Sequence, residues 1–181
     1  MVLKLGIIGL GYWGKHYVRL VNNNPRTKLV ALCDLNKEAL KKYDYLNVET
    51  FLDSDAFFNY KNMDGVIIVT IAKTHTNLIK NAFMNNLKVF VEKPYTLSLK
   101  DCEMLNKMEN NNKLMVGHTY LFNSKIDYIK DYLMGNINDV KSVSFIWTCY
   151  GPIRTDTTPI FDLAVHPISI LYYLFPNKKV S

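Results

Sequence analysis

The 181-residue sequence contains little cysteine. Its three cysteines, Cys33, Cys102 and Cys149, lie far apart along the chain. An odd number of cysteines argues against a disulfide framework, and this spacing matches no metal-binding cluster. We therefore expect no metal site and a reducing compartment, the cytoplasm.

Long apolar segments are also absent. No run approaches the roughly 20 residues needed to span a membrane. The apolar run at the N-terminus is short and broken by Lys4 and by glycines, so we expect no signal peptide and no membrane partner. A hydrophobic content of 49% with 21% charged residues is typical of a globular protein.

The positive charge is not concentrated in any block. Lysine and arginine number 22 against 16 acidic residues, which gives a net charge of +6, but they are spread along the chain. Arg19, Arg26 and Arg154 are the only arginines and form no cluster. This dispersed pattern argues against a nucleic-acid partner.

A glycine motif follows the first predicted strand. Residues 3–8 are mostly apolar and lead into Gly9-Leu10-Gly11-Tyr12-Trp13-Gly14, which matches G-x-G-x-x-G. In a dinucleotide site the first glycine permits the turn, the second admits the pyrophosphate, and the third lets the helix pack closely. The alternative is a glycine turn without a ligand. The strand before and the amphipathic stretch after the motif favour the dinucleotide site.

Asp34 ends the second predicted strand, Lys28–Cys33, at the distance expected for a carboxylate that binds the adenosine ribose. A carboxylate there favours NAD because it repels a 2′-phosphate. Lys37 lies nearby and could tolerate that phosphate, so NADP stays possible. The alternative for Asp34 is a surface aspartate.

Short apolar runs alternate with amphipathic stretches, which predicts an α/β fold with a doubly wound parallel sheet, the Rossmann arrangement. We predict a dinucleotide-binding domain over residues 1–120. Residues 121–181 are predicted to begin a second α+β domain with an open sheet, comprising a helix over Ser124–Met134, a strand over Val140–Cys149 and a helix over Phe161–Phe175. The predicted strands of the first domain after Asp34 are Val48–Phe51, Gly65–Val69, Lys88–Glu92 and Leu114–Gly117.

Polar groups follow three of these strands, where ligands of open α/β sheets bind. They are the segment Thr70–His75, the segment Glu92-Lys93-Pro94, and His118. Pro94 restricts the backbone beside Lys93. A lysine at a strand end is commonly a solvated terminus, and its position in the cleft favours a functional role.

Asp162 and His166 are four residues apart and would share a face if the segment is helical. A histidine can accept a hydroxyl proton near neutral pH, and a carboxylate can orient it. The spacing equally fits a capping aspartate and histidine at the start of a helix, with Pro167 in the first turn.

Together these motifs resemble the glucose–fructose oxidoreductase, inositol dehydrogenase and rhizopine-catabolism family of NAD(P)-dependent oxidoreductases. The resemblance covers nearly the whole chain, in order, and rests on Gly9–Gly14, Thr74-His75, Val91-Glu92-Lys93-Pro94, Val116-Gly117-His118 and Asp162–Ile168.

The resemblance implies a role for each residue. Lys93 would polarise the reacting oxygen, His166 would be the general base, and Asp162 would bind substrate and orient His166. The cofactor-binding residues would be Gly9, Gly11, Tyr12, Trp13, Gly14, Asp34, Thr70, Thr74, His75, Glu92 and Lys93. His118 and Arg154 would bind substrate, although Arg154 fits a surface loop equally well.

Within the family the chain looks most similar to the branch that oxidises the 3-hydroxyl of UDP-N-acetylhexosamines or their uronates. The motifs are Gly11-Tyr12-Trp13-Gly14, Gly117-His118-Thr119 and Gly151–Asp156, which comes shortly before Asp162. Family members are usually much longer, so the resemblance implies a partial chain that forms homo-oligomers. The expected function is NAD-dependent oxidation of a secondary hydroxyl of a sugar or sugar nucleotide. The alternative is a non-catalytic nucleotide-binding or regulatory module.

Overall fold

The computed structural model describes residues 1–108, 110–148 and 158–176. The chain divides into two compact units, Met1–Gly117 and His118–Ser181. The predicted domain limits, 1–120 and 121–181, stay a prediction.

The first unit is built on six parallel strands in the order β3-β2-β1-β4-β5-β6. This order reverses direction beside β1, so the predicted doubly wound sheet is confirmed. The strands are β1 (Leu3–Ile8), β2 (Thr27–Cys33), β3 (Glu49–Phe51), β4 (Gly65–Ile68), β5 (Lys88–Val91) and β6 (Leu114–Val116).

Five α-helices connect these strands: α1 (Gly14–Asn23), α2 (Lys37–Lys41), α3 (Ser54–Asn59), α4 (His75–Met84) and α5 (Leu99–Asn106). Side chains cap three of their N-termini. Asn36 accepts from the Glu38 N–H, Asp53 from the Ala56 N–H, and Ser98 from the Asp101 N–H. Such caps satisfy backbone donors that have no partner inside the helix.

Two hydrophobic clusters cover the two faces of the sheet. One centres on Phe57, Ile79 and Phe83, which are at most 2% exposed, and the other on Ile7 and Leu32, which are fully buried. The central strands are buried on both faces, which explains why they occur as continuous apolar runs in the sequence. This packing holds the carboxyl ends of β1, β2, β4 and β5 in fixed positions.

The second unit contains α6 (Ser124–Leu133), a π-helical turn (Ile160–Ala164) and α7 (Val165–Leu174). Ile126 and Leu133 pack against its small core of Ile170, Leu174 and Phe175. The strand predicted over Val140–Cys149 is wrong for residues 140–148, which have no regular secondary structure. A strand needs ladder hydrogen bonds to a neighbour, and no described residue pairs with this segment. Cys149 lies outside the described residues.

Candidate functional site

The glycine loop joins β1 to α1. Gly9 has a φ of +98°, and a Cβ built there would lie 2.7 Å from both the carbonyl carbon and the carbonyl oxygen of Val69. A Cβ on Gly14 would collide with the Gly9 carbonyl oxygen. Gly11 differs, because no heavy atom other than those of Gly11 and its two chain neighbours lies within 4 Å of its Cβ position. The fold therefore requires Gly9 and Gly14, whereas Gly11 borders open space that a ligand can enter.

The first turn of α1 carries no side-chain cap and no acidic residue. Tyr12 and Trp13, which precede it, are 73% and 54% exposed, and their rings meet edge to face at 5.5 Å. The Lys15 amine lies 5.0 Å from the centre of the Tyr12 ring. Uncapped N–H groups beside a cation suit an anionic ligand such as a pyrophosphate.

Asp34 lies directly after β2, and backbone donors hold both of its carboxylate oxygens. Oδ2 accepts from the Leu10 N–H at 2.7 Å, and Oδ1 accepts from the Asn36 N–H at 2.8 Å. These bonds connect the predicted ribose-binding carboxylate to the glycine loop. The geometry fixes the direction of the carboxylate and leaves its remaining lone pairs for a hydroxyl.

A pocket of about 430 Å³ lies beside this carboxylate. It is lined by Leu10, Gly11, Tyr12, Lys15, Asp34, Asn36, Ala39, Lys42 and Tyr43. Two lysines therefore share the pocket with Asp34. Lys37, which could tolerate a 2′-phosphate, is exposed and does not line this pocket, whereas Lys42 at the end of α2 does.

The segment after β4 is held by its own side chains. The Thr70 and Thr74 hydroxyl oxygens lie 2.6 Å apart, and the Thr74 hydroxyl donates to the Ile71 carbonyl at 2.8 Å. His75 is 1% exposed, with Nδ1 2.8 Å from the Pro94 carbonyl oxygen and Nε2 3.2 Å from that of Thr70. Burial lowers the pKa of His75, which favours the neutral ring. The burial of His75 indicates that it positions the two loops, and its assignment to cofactor binding stays a prediction.

Glu92 follows β5 and is 8% exposed. One carboxylate oxygen accepts from the Tyr17 hydroxyl, and the other accepts from the Lys93 backbone N–H at 3.2 Å. Lys93 is half-buried, and its peptide bond to Pro94 is cis. The Glu92-Lys93-Pro94 segment is thus held by Tyr17 on α1 and by His75 on α4.

His118 begins the second unit. Its Nδ1 atom is buried and has no hydrogen-bond partner among the described residues. Burial lowers the pKa of His118 and favours the neutral ring. A buried ring nitrogen without a protein partner is consistent with the predicted substrate-binding role, which stays a prediction. Arg154, the other predicted substrate residue, lies outside the described residues.

Asp162 lies in the π-helical turn, and His166 lies in the first turns of α7. Pro167 explains the change of helix type. It has no N–H for the carbonyl of Leu163, and its ring would clash with that carbonyl in a continuous α-helix. The predicted single helix over Phe161–Phe175 is therefore wrong in its first turn. Turns of this kind often occur at functional sites.

Aromatic rings hold the His166 side chain. Its imidazole stacks on Trp147 with ring centres 5.5 Å apart and an interplanar angle of 25°, and it meets Tyr120 at 4.9 Å. Tyr120 and Trp147 are themselves 4.7 Å apart. The Ser169 hydroxyl donates to the His166 carbonyl at 2.7 Å. The contacts with Trp147 and Tyr120 restrict the orientation of the ring.

Residues 3–120 match the model of an oxidoreductase family with an NAD-binding Rossmann fold. The chain belongs to this family. The inositol 2-dehydrogenase of Salmonella paratyphi B is 28% identical over 188 residues, which cover 96% of this chain and 55% of that enzyme. The family resemblance, the Rossmann fold and NAD as the cofactor, all predicted from the sequence, are confirmed.

Solved structures of the family show the same fold. A myo-inositol dehydrogenase from Corynebacterium glutamicum matches with a TM-score of 0.84 at 20% identity, covering 98% of this chain and 56% of its own. A scyllo-inositol dehydrogenase from Lactobacillus casei, crystallised with NAD(H) and scyllo-inositol, matches with a TM-score of 0.77 at 22% identity, covering 96% and 56%. The chain therefore spans about half the length of the family members it matches.

The described residues contain no group of three or more histidine, cysteine or acidic side chains arranged to hold a metal ion. None of their helices has both the length and the apolar character of a membrane span.

Sequence reasoning missed Tyr17, which the pattern places on the apolar face of α1, and also Lys42. The one available signal for Tyr17 was its hydroxyl, because a tyrosine on a buried helix face needs a hydrogen-bond partner. Nothing in the sequence indicates that Lys42 lines the pocket, since this depends on where α2 ends.

Proposed function

We propose that this chain supplies the NAD-binding and reacting residues of a dehydrogenase that oxidises a secondary hydroxyl of a cyclic polyol or sugar. The observation that carries the proposal is the buried Glu92 carboxylate. It accepts from the backbone N–H of Lys93 and so holds this lysine at the carboxyl end of β5 in an NAD-binding domain. Ligands of doubly wound sheets bind at that end.

The reaction needs a hydride acceptor and a proton acceptor. Bound NAD supplies the hydride acceptor. Lys93 would donate a hydrogen bond to the reacting oxygen, and His166 would take the hydroxyl proton. Asp162 would bind substrate and orient His166. The rings of Tyr120 and Trp147 support the role of His166, because their contacts restrict the orientation of the imidazole.

Cyclic polyols are proposed as substrates because the inositol 2-dehydrogenase of Salmonella paratyphi B aligns with 96% of the chain. A second candidate is the 3-hydroxyl of a UDP-N-acetylhexosamine or its uronate. The motifs Gly117-His118-Thr119 and Gly151–Asp156 favour it. Residues 151–156 lie outside the described residues, so this motif supports the candidate by its sequence alone. Homo-oligomers and a cytoplasmic location are part of the proposal.

The test follows NADH formation by the native protein with myo-inositol, scyllo-inositol, free sugars and UDP-sugars. Lys93→Met should abolish turnover and leave the dissociation constant for NAD within about twofold of wild type, because the lysine serves the reacting oxygen. Lys88→Met, which replaces an exposed lysine of the same strand, is the matched control and should retain activity.

Three outcomes would contradict the proposal or a part of it. A native protein that binds NAD and oxidises no substrate would support the non-catalytic module instead. Loss of NAD binding in Lys93→Met would refute the role of Lys93 at the reacting oxygen and leave only its predicted role in cofactor binding. Oxidation of UDP-sugars alone would replace the first substrate class with the second.

A further inference from the structure

Tyr17 contacts the Glu92-Lys93 segment from the helix that follows the glycine loop. It lies on α1, and its ring is tilted against Phe90 with centres 5.3 Å apart. Its hydroxyl donates to one oxygen of the Glu92 carboxylate. A side chain of the cofactor-binding helix is thereby bonded to the end of β5.

The Glu92 carboxylate also forms a hydrogen bond with the backbone of Lys93. Its second oxygen accepts from the Lys93 backbone N–H at 3.2 Å, so Glu92 bridges the Tyr17 hydroxyl and the Lys93 backbone. A buried carboxylate is costly unless it is hydrogen-bonded, which makes the two donors interdependent. Burial and the bond to Glu92 raise the pKa of Tyr17, which keeps the phenol protonated as a donor.

Gly117 provides the space for this arrangement. A Cβ at that position would lie 3.1 Å from the Phe90 ring and 3.3 Å from the Glu92 carboxylate. Both distances are shorter than ordinary van der Waals contact, so any larger residue would push against the two side chains that meet Tyr17. The glycine of the Gly117-His118-Thr119 motif thus has a physical role within the first unit.

We propose that Tyr17 is a positioning residue that holds Lys93 through Glu92. The inference rests on the proposed function, because the lysine matters for turnover only if the protein is a dehydrogenase. Tyr17 itself would not touch the reacting atoms. Its hydrogen bond fixes the backbone from which the Lys93 side chain extends, and it keeps this backbone in register with α1.

The test compares Tyr17→Phe with Tyr60→Phe in the native protein. Tyr60 is a matched control, because it also packs on a phenylalanine, Phe51, and its hydroxyl also has a hydrogen-bond partner, Asn62. Tyr17→Phe should lower kcat about tenfold and leave the dissociation constant for NAD unchanged, as expected when a reacting group is misplaced. Tyr60→Phe should leave both unchanged.

A double-mutant cycle with Glu92→Gln tests the route of the effect. If Tyr17 acts through Glu92, Tyr17→Phe should lower kcat less than twofold in the Glu92→Gln background. Independent, multiplying effects on kcat would overturn the inference. A purely structural tyrosine would lower the melting temperature without this coupling in kcat.

Hydrogen exchange gives a readout that does not depend on turnover. The Lys93 amide should exchange faster in Tyr17→Phe than in wild type or Tyr60→Phe, because its acceptor is no longer fixed. Unchanged exchange would overturn the inference even if the wild-type protein proved inactive. An inactive wild type with faster Lys93 exchange would refute the proposed function and support the positioning contact.

Discussion

Replacing Gly9 with alanine should unfold the first unit more readily, whereas the same change at Gly11 should weaken NAD binding instead. At Gly9 the backbone has a φ of +98°, and an added Cβ would lie 2.7 Å from the Val69 carbonyl carbon and oxygen. At Gly11 the Cβ position has no neighbour within 4 Å. One motif therefore contains a glycine that the fold needs and one that a ligand needs.

The magnitude at Gly9 follows from two costs. Positive φ in a residue with a Cβ costs about 1–2 kcal/mol. Overlap with a packed neighbour costs about 1–3 kcal/mol, and the neighbour here is backbone of the strand-end loop after β4, which cannot rotate away. The sum, about 2–5 kcal/mol, is a large part of the roughly 5–15 kcal/mol that stabilises a typical domain.

Urea unfolding of Gly9→Ala, Gly11→Ala and wild type measures the difference. We expect Gly9→Ala to lose about 2–5 kcal/mol of unfolding free energy, and Gly11→Ala to stay within about 0.5 kcal/mol of wild type. Isothermal titration of Gly11→Ala with NAD should show at least about a tenfold weaker affinity, because the Cβ occupies the approach of the pyrophosphate. A Gly9→Ala protein as stable as wild type would refute the reasoning, and so would an unchanged NAD affinity in Gly11→Ala.

Two further predictions concern pH and cofactor choice. Burial lowers the pKa of His75 below 6.5. Below about pH 6.5 the unfolded chain therefore binds a proton at this residue that the folded chain excludes. The contribution of His75 to the free energy of unfolding is complete above about pH 6.5, and it falls as the pH drops towards the lowered pKa. Urea unfolding at several pH values should show this fall in wild type and less of it in His75→Gln, and equal slopes would contradict it. Asp34→Ser should move the ratio of NADP to NAD affinity towards NADP, because Lys15 and Lys42 remain in the pocket once the repelling carboxylate is gone. Titration with both cofactors measures this ratio, and an unchanged ratio would show that the lysines do not reach the 2′-phosphate.

The sheet of the first unit was predictable because its central strands are buried on both faces. Such strands appear as short, continuous apolar runs, and the runs at Gly65–Val69 and Lys88–Glu92 were placed within one residue of the observed β4 and β5. The predicted strand over Val140–Cys149 failed for its described part, because alternation alone does not supply a partner strand.

Residues of the candidate site could be predicted from the sequence only where the residue type has one common structural role at that position. Glycine at positive φ and aspartate at the end of β2 are such cases. Tyr17 was hidden because aromatic residues on a helix face usually belong to the core. Before His166, the apolar residues favour a continuous α-helix, whereas Pro167 disfavours one. Sequence periodicity does not show that a π-helical turn results.

The hydrogen bonds of the first unit explain how its loops can be arranged before any ligand binds. Asp34 is bonded to the Leu10 backbone in the glycine loop, His75 lies against the carbonyl oxygens of Thr70 and Pro94, and Tyr17 reaches Lys93 through Glu92. Each of these contacts joins a strand-end loop to another element of the same unit. A site held in this way loses little further conformational freedom on binding, so more of the binding energy remains for affinity and orientation. Substitutions that break these bonds should therefore act on the placement of the loops, and those that fill the space beside Gly11 should act on the ligand itself.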